Sequence, residues 1–324
     1  MITRHWRAMA SPIEWLIDSP TETDWIDPLA DHLQHLFDTV ERHLSRFRED
    51  SEAVQLNRRL GDWVKVSPIL YEALRLSHRA WRITQGLFDP RIITDLERLG
   101  YHGAAIPGSL TQSADDWLTR CPRTATIRLR APVDFGGIGK SLAVYWAALR
   151  IRRHKRFQQQ TRPPMLLNAG GDLQIMGPAI PAGGWQIGIE HPVTPDHLAA
   201  VLNMSVPLAV CTSSIRRHQW MHDGRPVHHL IHPFTHQPGG SGLLSVTVAH
   251  RAPTWAEIWS KALFLHGRQG IAAAAARHRL VAWWFSADGR WGGDPRSFLV
   301  HSMGPPRLFP TPHNTIVSRH LYQT

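Results

Sequence analysis

From Asp27-Pro28 onward, apolar residues recur at helical spacing: Leu29, Leu33, Leu36, Phe37, Val40, Leu44 and Phe47. This period predicts a long amphipathic helix, with Asp27 as N-cap, Pro28 as its first residue and Arg48-Glu49-Asp50-Ser51 as its polar exit. Ser67-Pro68 opens a second helix in the same way; its stripe is Leu70, Ala73, Leu74, Ser77, Ala80 and Trp81, and Gly86 stops it. Residues 102–123 carry Pro107, Gly108 and Pro122 and read as irregular, whereas 124–129 alternate like a strand. Residues 139–154 form a third helix entered from a glycine-rich turn, and the basic cluster Arg150 to Arg156 suits the negative end of its dipole.

Beyond that helix the pattern is mostly strand: 165–168, 173–176, 185–189, 199–206, 208–212 and 243–249. Thr254-Trp255-Ala256-Glu257 has the form of a capping box, opening a helix that ends near Gly267. Residues 272–276 are helical, 281–285 a strand before the Asp288-Gly289 turn, and the tail after Met303 irregular. Helices first, then a mixture of strands and helices, argue for an α+β fold over a doubly wound parallel sheet. The expected organisation is one domain over 1–300, which two sub-lobes could divide, and an irregular tail over 301–324.

A hydrophobic share of 43% over 324 residues supplies a sizeable core. No run approaches the roughly 18–20 apolar residues of a membrane helix. The first twenty residues mix Arg4, His5, Arg7, Glu14 and Asp18 among apolar ones and lack the core of a signal peptide, so the chain as written reads as cytoplasmic. Cys121 and Cys211 give neither a metal-finger spacing nor a disulfide framework. A net charge of +10 suits an anionic ligand such as a dinucleotide, an acidic protein or nucleic acid. The basic residues are dispersed and not interleaved with aromatics, which argues against a nucleic-acid groove.

Four segments carry candidate chemistry. In Leu166-Leu167-Asn168-Ala169-Gly170-Gly171-Asp172-Leu173 an apolar run stops at paired glycines, which tolerate positive φ and let backbone N–H groups approach a ligand. Asp134-Phe135-Gly136-Gly137-Ile138-Gly139-Lys140-Ser141 leads into a helix N-terminus, an anion site to which Lys140 adds charge; it also reads as an ordinary tight turn. Thr84-Gln85-Gly86-Leu87-Phe88-Asp89-Pro90 is either a helix stop and turn or a wall for a flat heterocycle, with Asp89 as a polar contact. In Val227-His228-His229-Leu230-Ile231-His232-Pro233, the His229/His232 spacing lacks a third ligand and is no zinc signature in a chain with 21 histidines. His229 suits a general base or a phosphate contact.

In this order the segments resemble the FAD:protein FMN transferase (ApbE) family. Ala8-Met9-Ala10-Ser11-Pro12 is similar to its Met-Gly-Thr entry, and Ser45-Arg46-Phe47, Ser51-Glu52 and Leu56-Asn57 follow its first-helix exit. Gly86 to Pro90 resembles G-x-F-D-P, Asp134 to Ser141 D-L-G-G-I-A-K-G, and Asn168 to Asp172 N-x-G-G-D. Thr212-Ser213-Ser214 resembles T-S-G, His229 to Pro233 H-I-I-D-P, and Ala256-Glu257 the family's A-D.

The resemblance implies a T-fold-like α+β protein, with a mixed or antiparallel sheet and packed helices, that binds FAD. It would transfer the FMN phosphoryl group to a Thr or Ser hydroxyl of an acceptor flavoprotein and release AMP. A degenerate flavin- or partner-binding relative and an FAD pyrophosphatase are the alternatives. The implied flavin site is Met9, Phe47, Leu87, Phe88, Asp89, Gly136, Lys140, Leu142, Gly170, Gly171, Asp172, Thr212 and Ile231, with His229 beside the reacting diphosphate.

The resemblance also implies magnesium, held by the Gly139 carbonyl, an Asp where this chain has Glu257 and a Thr where it has Lys261. Three arrangements follow. Magnesium binds through Gly139, Glu257 and Ser260 with Lys261 turned outward; Lys261 replaces the ion; or the site has lost catalysis.

Overall fold

Buried on both faces, the apolar runs of the second half of the chain build the centre of an eight-stranded antiparallel sheet in the computed structural model. The structure describes residues 1–19, 24–108, 117–155, 163–178, 184–194, 197–204, 206–216, 218–293 and 315–317. The chain opens with a hairpin, β1 (Ile2–Ala8) and β2 (Ser11–Ile17), followed by α1 (Ile26–Leu44) and the short α2 (Glu52–Asn57). Next come β3 (Val64–Lys65), α3 (Pro68–Ile83), α4 (Ile93–Arg98), β4 (Leu118–Cys121), β5 (Thr126–Leu129) and α5 (Gly139–Arg153).

The second half holds β6 (Met165–Ala169), β7 (Asp172–Met176), β8 (Trp185–Glu190), β9 (Leu198–Met204) and β10 (Ala209–Ser214). Short strands follow: β11 (Gln219–His222), β12 (Arg225–His228), β13 (Ile231–His232) and β14 (Gln237–Pro238). The chain then runs through β15 (Leu243–His250), α6 (Pro253–Leu265), α7 (Gly267–Arg277), β16 (Val281–Ser286), β17 (Trp291–Gly293) and β18 (Thr315–Val317).

The large sheet runs β1-β2-β6-β7-β10-β15-β16-β17. Pairing of Ile13 with Ala169 and of Trp15 with Leu167 fixes the register that seats the N-terminal hairpin on β6. Side-chain alternation splits the burial between two faces. Ile13, Trp15 and Leu167 pack under α1, α3 and α5, while Leu16, Leu166 and Ile175 pack against Trp185, Ile187 and Leu202 of the small β18-β8-β9 sheet. Val246, Val248 and Ala282 meet Leu263, Phe264 and Ile271 of α6 and α7. The result is an α+β fold in layers: helices, large sheet, small sheet.

Local chemistry explains the helices. Ser67 Oγ accepts from Leu70 N at 3.2 Å and caps α3, with Pro68 at its first position. The α1 stripe Leu29, Leu33, Phe37, Val40 and Leu44 is buried.

Several elements differ from the sequence expectation. The first elements are strands, not helices. The helix expected from Leu29 to Phe47 ends at Leu44. Ser51 caps α2, with Val54 N donating to its Oγ at 3.2 Å, where only a polar turn was expected. Leu118–Cys121 is a strand inside the span read as irregular, because it pairs with β5. In the tail, Thr315–Val317 pairs in parallel with β8; the rest of 301–324 lies outside the described residues, as does Arg156 of the basic cluster. Cys121 and Cys211 are both free.

Candidate active site

A cavity of about 680 Å³ opens where separated segments of the chain meet. The first is the β1–β2 turn. Met9 and Ala10 both take positive φ (52° and 55°), and Met9 N donates to Glu41 Oε2 at 2.7 Å. A Cβ at Gly139 would lie 3.2 Å from Met9 Cε, so the glycine admits the Met9 side chain.

The second segment is the exit of α1. Phe47 is 59% exposed at the mouth, whereas Arg46 is buried. Arg46 pairs with Glu97 and donates to Tyr101 O at 2.9 Å, yet its Nε and Nη1 are shielded from solvent with no hydrogen-bond partner.

The third is the α3 exit. Gly86 takes φ +88°, and Thr84 Oγ1 accepts from Phe88 N at 2.9 Å, turning Leu87 and Phe88 into the wall. Asp89 lines the cavity, but its carboxylate accepts from Arg91 N at 2.9 Å and pairs with the Arg91 guanidinium. The carboxylate thus caps the turn that begins at Pro90, a role not read from the sequence.

Two glycine turns form the floor. Gly136 N donates to Asp134 Oδ1 at 3.0 Å, and no side chain caps the N-terminus of α5. Burial pushes the Asp134 carboxyl up, against the pull of Arg46. In the β6–β7 turn, Gly170 and Gly171 take φ of 58° and 101°. Asn168 holds this turn, accepting from Gly171 N at 3.0 Å and donating to Glu14 Oε2 at 2.9 Å. Asp172 follows, buried, with Oδ2 unpartnered. Burial, and then the charge of Glu257, push its carboxyl up to about 7 against Lys140 and Lys261.

The last walls come from the β12–β13 connection and α6. The His229 ring stands 4.9 Å from that of His218, and its Nδ1 is shielded from solvent without a partner. Burial first, then His218, Lys261 and His228, hold this imidazole well below the ordinary histidine range, so it is neutral near pH 7. On α6, Glu257 and Lys261 stand one turn apart and form an ion pair.

The structure thus brings Met9, Phe47, Leu87, Phe88, Asp89, Gly136, Gly139, Lys140, Gly170, Gly171, Asp172, Thr212, His229, Ile231, Glu257 and Lys261 to one cavity. Leu142 and Ser260 are not in its lining. Leu142 sits one turn inside α5, buried in the helix-side core. Ser260 is also buried, its hydroxyl 2.7 Å from Ser213 Oγ and 2.9 Å from Glu257 O. The capping box is corrected as well: Pro253 takes the first helical position and Ala252 the N-cap, with no side-chain cap. Glu257 is thereby free to face the cavity. Arg46, Asp134 and Tyr101 also line it and were given no site role from the sequence, although Asp134 heads the quoted glycine-rich segment. Arg46 had a signal in its place within Ser45-Arg46-Phe47.

Among the described residues, ligand atoms of Asp172, Cys211 and Glu257 lie within 4.8 Å of one another. Magnesium takes hard oxygen donors in a near-octahedral shell. Here one of the three side chains is a buried thiol, a soft group that adds no hard oxygen. One of the two carboxylates is already bound to the Lys261 ammonium. This donor set does not fit magnesium.

The family model described as the ApbE family matches residues 9–284. An FAD:protein FMN transferase of Klebsiella pneumoniae (strain 342) is 27% identical over 288 residues, covering 85% of this chain and 85% of that protein. The protein of the same name from Haemophilus influenzae is 22% identical over 291 residues, covering 82% and 81%. Among solved structures, the ApbE protein of Thermotoga maritima MSB8 superposes with a TM-score of 0.78 at 21% identity, covering 91% of this chain and 97% of that one. The flavin transferase ApbE from Vibrio cholerae gives 0.72 at 19%, covering 90% and 96%. At these identities the structural likenesses speak for the fold.

Proposed function

The chain belongs to the ApbE family, and on that premise we propose that it is an FAD:protein FMN transferase. The observation that carries the reading is convergence. Two glycine turns, the N-terminus of α5, Lys140, Lys261 and a neutral His229 face one cavity. Its volume falls in the range of nucleotide and cofactor sites. Helix N-termini and lysines favour a diphosphate, and the buried Arg46 guanidinium in the lining adds positive charge. Met9, Leu87, Phe88 and Ile231 supply apolar surface for a heterocycle.

In this reading the hydroxyl oxygen of an acceptor Thr or Ser attacks the phosphorus of the FMN half. The phosphorus–oxygen bond to the AMP half breaks, and AMP leaves with the electron pair. His229, a neutral imidazole in the cavity lining, takes the hydroxyl proton. Bound diphosphate raises the imidazole's basicity by adding negative charge nearby. Lys140 and Lys261 stabilise charge on the leaving phosphate. No step runs through magnesium.

Residues 1–300 act as one domain in this proposal, since the large sheet draws strands from residue 2 to residue 293. The acceptor is a flavoprotein with an accessible Thr or Ser. No helix among the described residues is long and apolar enough to cross a membrane.

The test is incubation of the purified protein with FAD and a cell extract, with AMP read by mass spectrometry and covalent flavin by in-gel fluorescence. Both products are expected. AMP without labelled protein means a pyrophosphatase, and FAD bound without AMP means a flavin-binding relative.

A further inference from the structure

We propose that the Lys261 ammonium takes the place of a divalent cation at the diphosphate, so that this protein binds and cleaves FAD without a metal. The proposal rests on the flavin-transfer reading and deepens it.

The first observation is placement. Lys261 lines the cavity with its side chain only 18% exposed, one helical turn beyond Glu257, whose side chain is 8% exposed. An acid four residues before a base on a helix is the favourable order for such a pair. The stem is clamped as well. A Cβ at Gly137 would lie 3.4 Å from Lys261 Cε and 3.3 Å from Phe88, so the floor turn packs directly on the lysine. The ammonium is therefore held over the turn and not turned to solvent.

The second observation is reach. Asp134 and Asp172 in the floor and His229 in the wall line the same cavity as Lys261, and each feels its charge. One ammonium thus shares the cavity with these ionisable groups, as a bound cation would.

The third is exclusion. A divalent ion between Asp172 and Glu257 would have to displace an ammonium already paired with Glu257. An ammonium has no lone pair to offer a metal and repels it. Ser260, the remaining hydroxyl on this helix turn, is spent on Ser213.

The experiment uses the full chain dialysed against EDTA. FAD affinity is read by quenching of flavin fluorescence and turnover by AMP release, each in EDTA and in magnesium. Affinity and rate are expected to agree within about twofold between the two conditions. Lys261→Met should lose FAD affinity by about tenfold or more in EDTA, while Lys261→Arg keeps most of it. The double variant Glu257→Asp with Lys261→Thr, which exchanges the ammonium for oxygen donors, should bind FAD only when magnesium is present.

The proposal is overturned if EDTA abolishes FAD binding or AMP release by the unmodified protein and magnesium restores it. It is equally overturned if a folded Lys261→Met protein binds FAD as well as the parent does. Failure of the underlying reading looks different. FAD that binds in neither condition ends the flavin-site reading and this proposal together. FAD that binds equally in both, with no AMP in either, ends the transfer reading and leaves the cation substitution standing on the binding data.

Discussion

Ser213 of β10 and Ser260 of α6 meet hydroxyl to hydroxyl, 2.7 Å apart and buried. The contact pins the helix that carries Glu257 and Lys261 onto a central strand. Ser260→Ala would strand the Ser213 hydroxyl, so unfolding free energy in urea should fall by about 1–2 kcal/mol. FAD affinity and its response to EDTA should stay unchanged, since Ser260 serves the scaffold.

Asn57 answers both backbone groups of Val133, accepting from Val133 N at 2.9 Å and donating to Val133 O at 2.8 Å. That bridge holds the strand-to-helix turn from Asp134 onward. Asn57→Ala should cost about 3 kcal/mol in urea denaturation, because two buried peptide groups lose their partners at once.

Gly137 separates Phe88 from the Lys261 stem. Gly137→Ala adds a methyl group to which the Phe88 ring must yield by a few tenths of an ångström, and which touches the Lys261 stem. FAD affinity, read by fluorescence, should drop severalfold while the melting temperature moves little.

His229→Gln removes the proposed base and keeps a polar side chain of similar reach. AMP release should fall by about 10²- to 10⁴-fold with FAD affinity largely retained. The imidazole lies well below its usual range in the folded protein. The acid limb of the unmodified protein's kcat/KM should therefore lie below pH 6.5, so the rate stays flat through that value. For stability the sign is opposite to that of a paired histidine. The unfolded chain binds the proton more readily, so His229 destabilises the fold as pH falls below about 6.5.

Asp172 gives a second pH signature. Its carboxyl is raised to about 7, so between roughly pH 4 and pH 7 the folded protein keeps a proton that the unfolded chain has released. Stability from this group falls as pH rises through that window. The melting temperature of Asp172→Asn relative to the parent should climb over the same interval and then level off.

Much of the site was legible because its segments announce themselves locally. Paired glycines, the Ser67-Pro68 cap and the apolar stripe of α3 are short-range signals, and the folded chain uses them as read; α1 keeps its stripe only to Leu44 and starts at Ile26, with Asp27 inside its first turn and not at the N-cap. The hairpin β1–β2 gave no such signal: its turn is Met9-Ala10, two residues in positive φ without glycine or asparagine, and Arg4, His5 and Arg7 dilute the strand pattern. The six-residue α2 is too short to show a helical period. Thr254 and Glu257 matched a capping box, but Pro253 moved the helix start upstream and left Glu257 for Lys261. Leu142 followed its motif in sequence but turned inward with α5. The burial of Arg46 and its approach to Asp134 depend on packing between α1, α4 and the Asp134 turn, which no local pattern encodes.

The cavity's walls run from Arg7 near one end of the chain to Leu265 late in its length. A guest held there bridges segments drawn from most of the chain's length. Occupancy should consequently raise the melting temperature of the entire cooperative unit in proportion to the logarithm of free ligand over its dissociation constant. A simple dye-based thermal scan against a panel of nucleotides then doubles as a ranking of what the protein was built to hold.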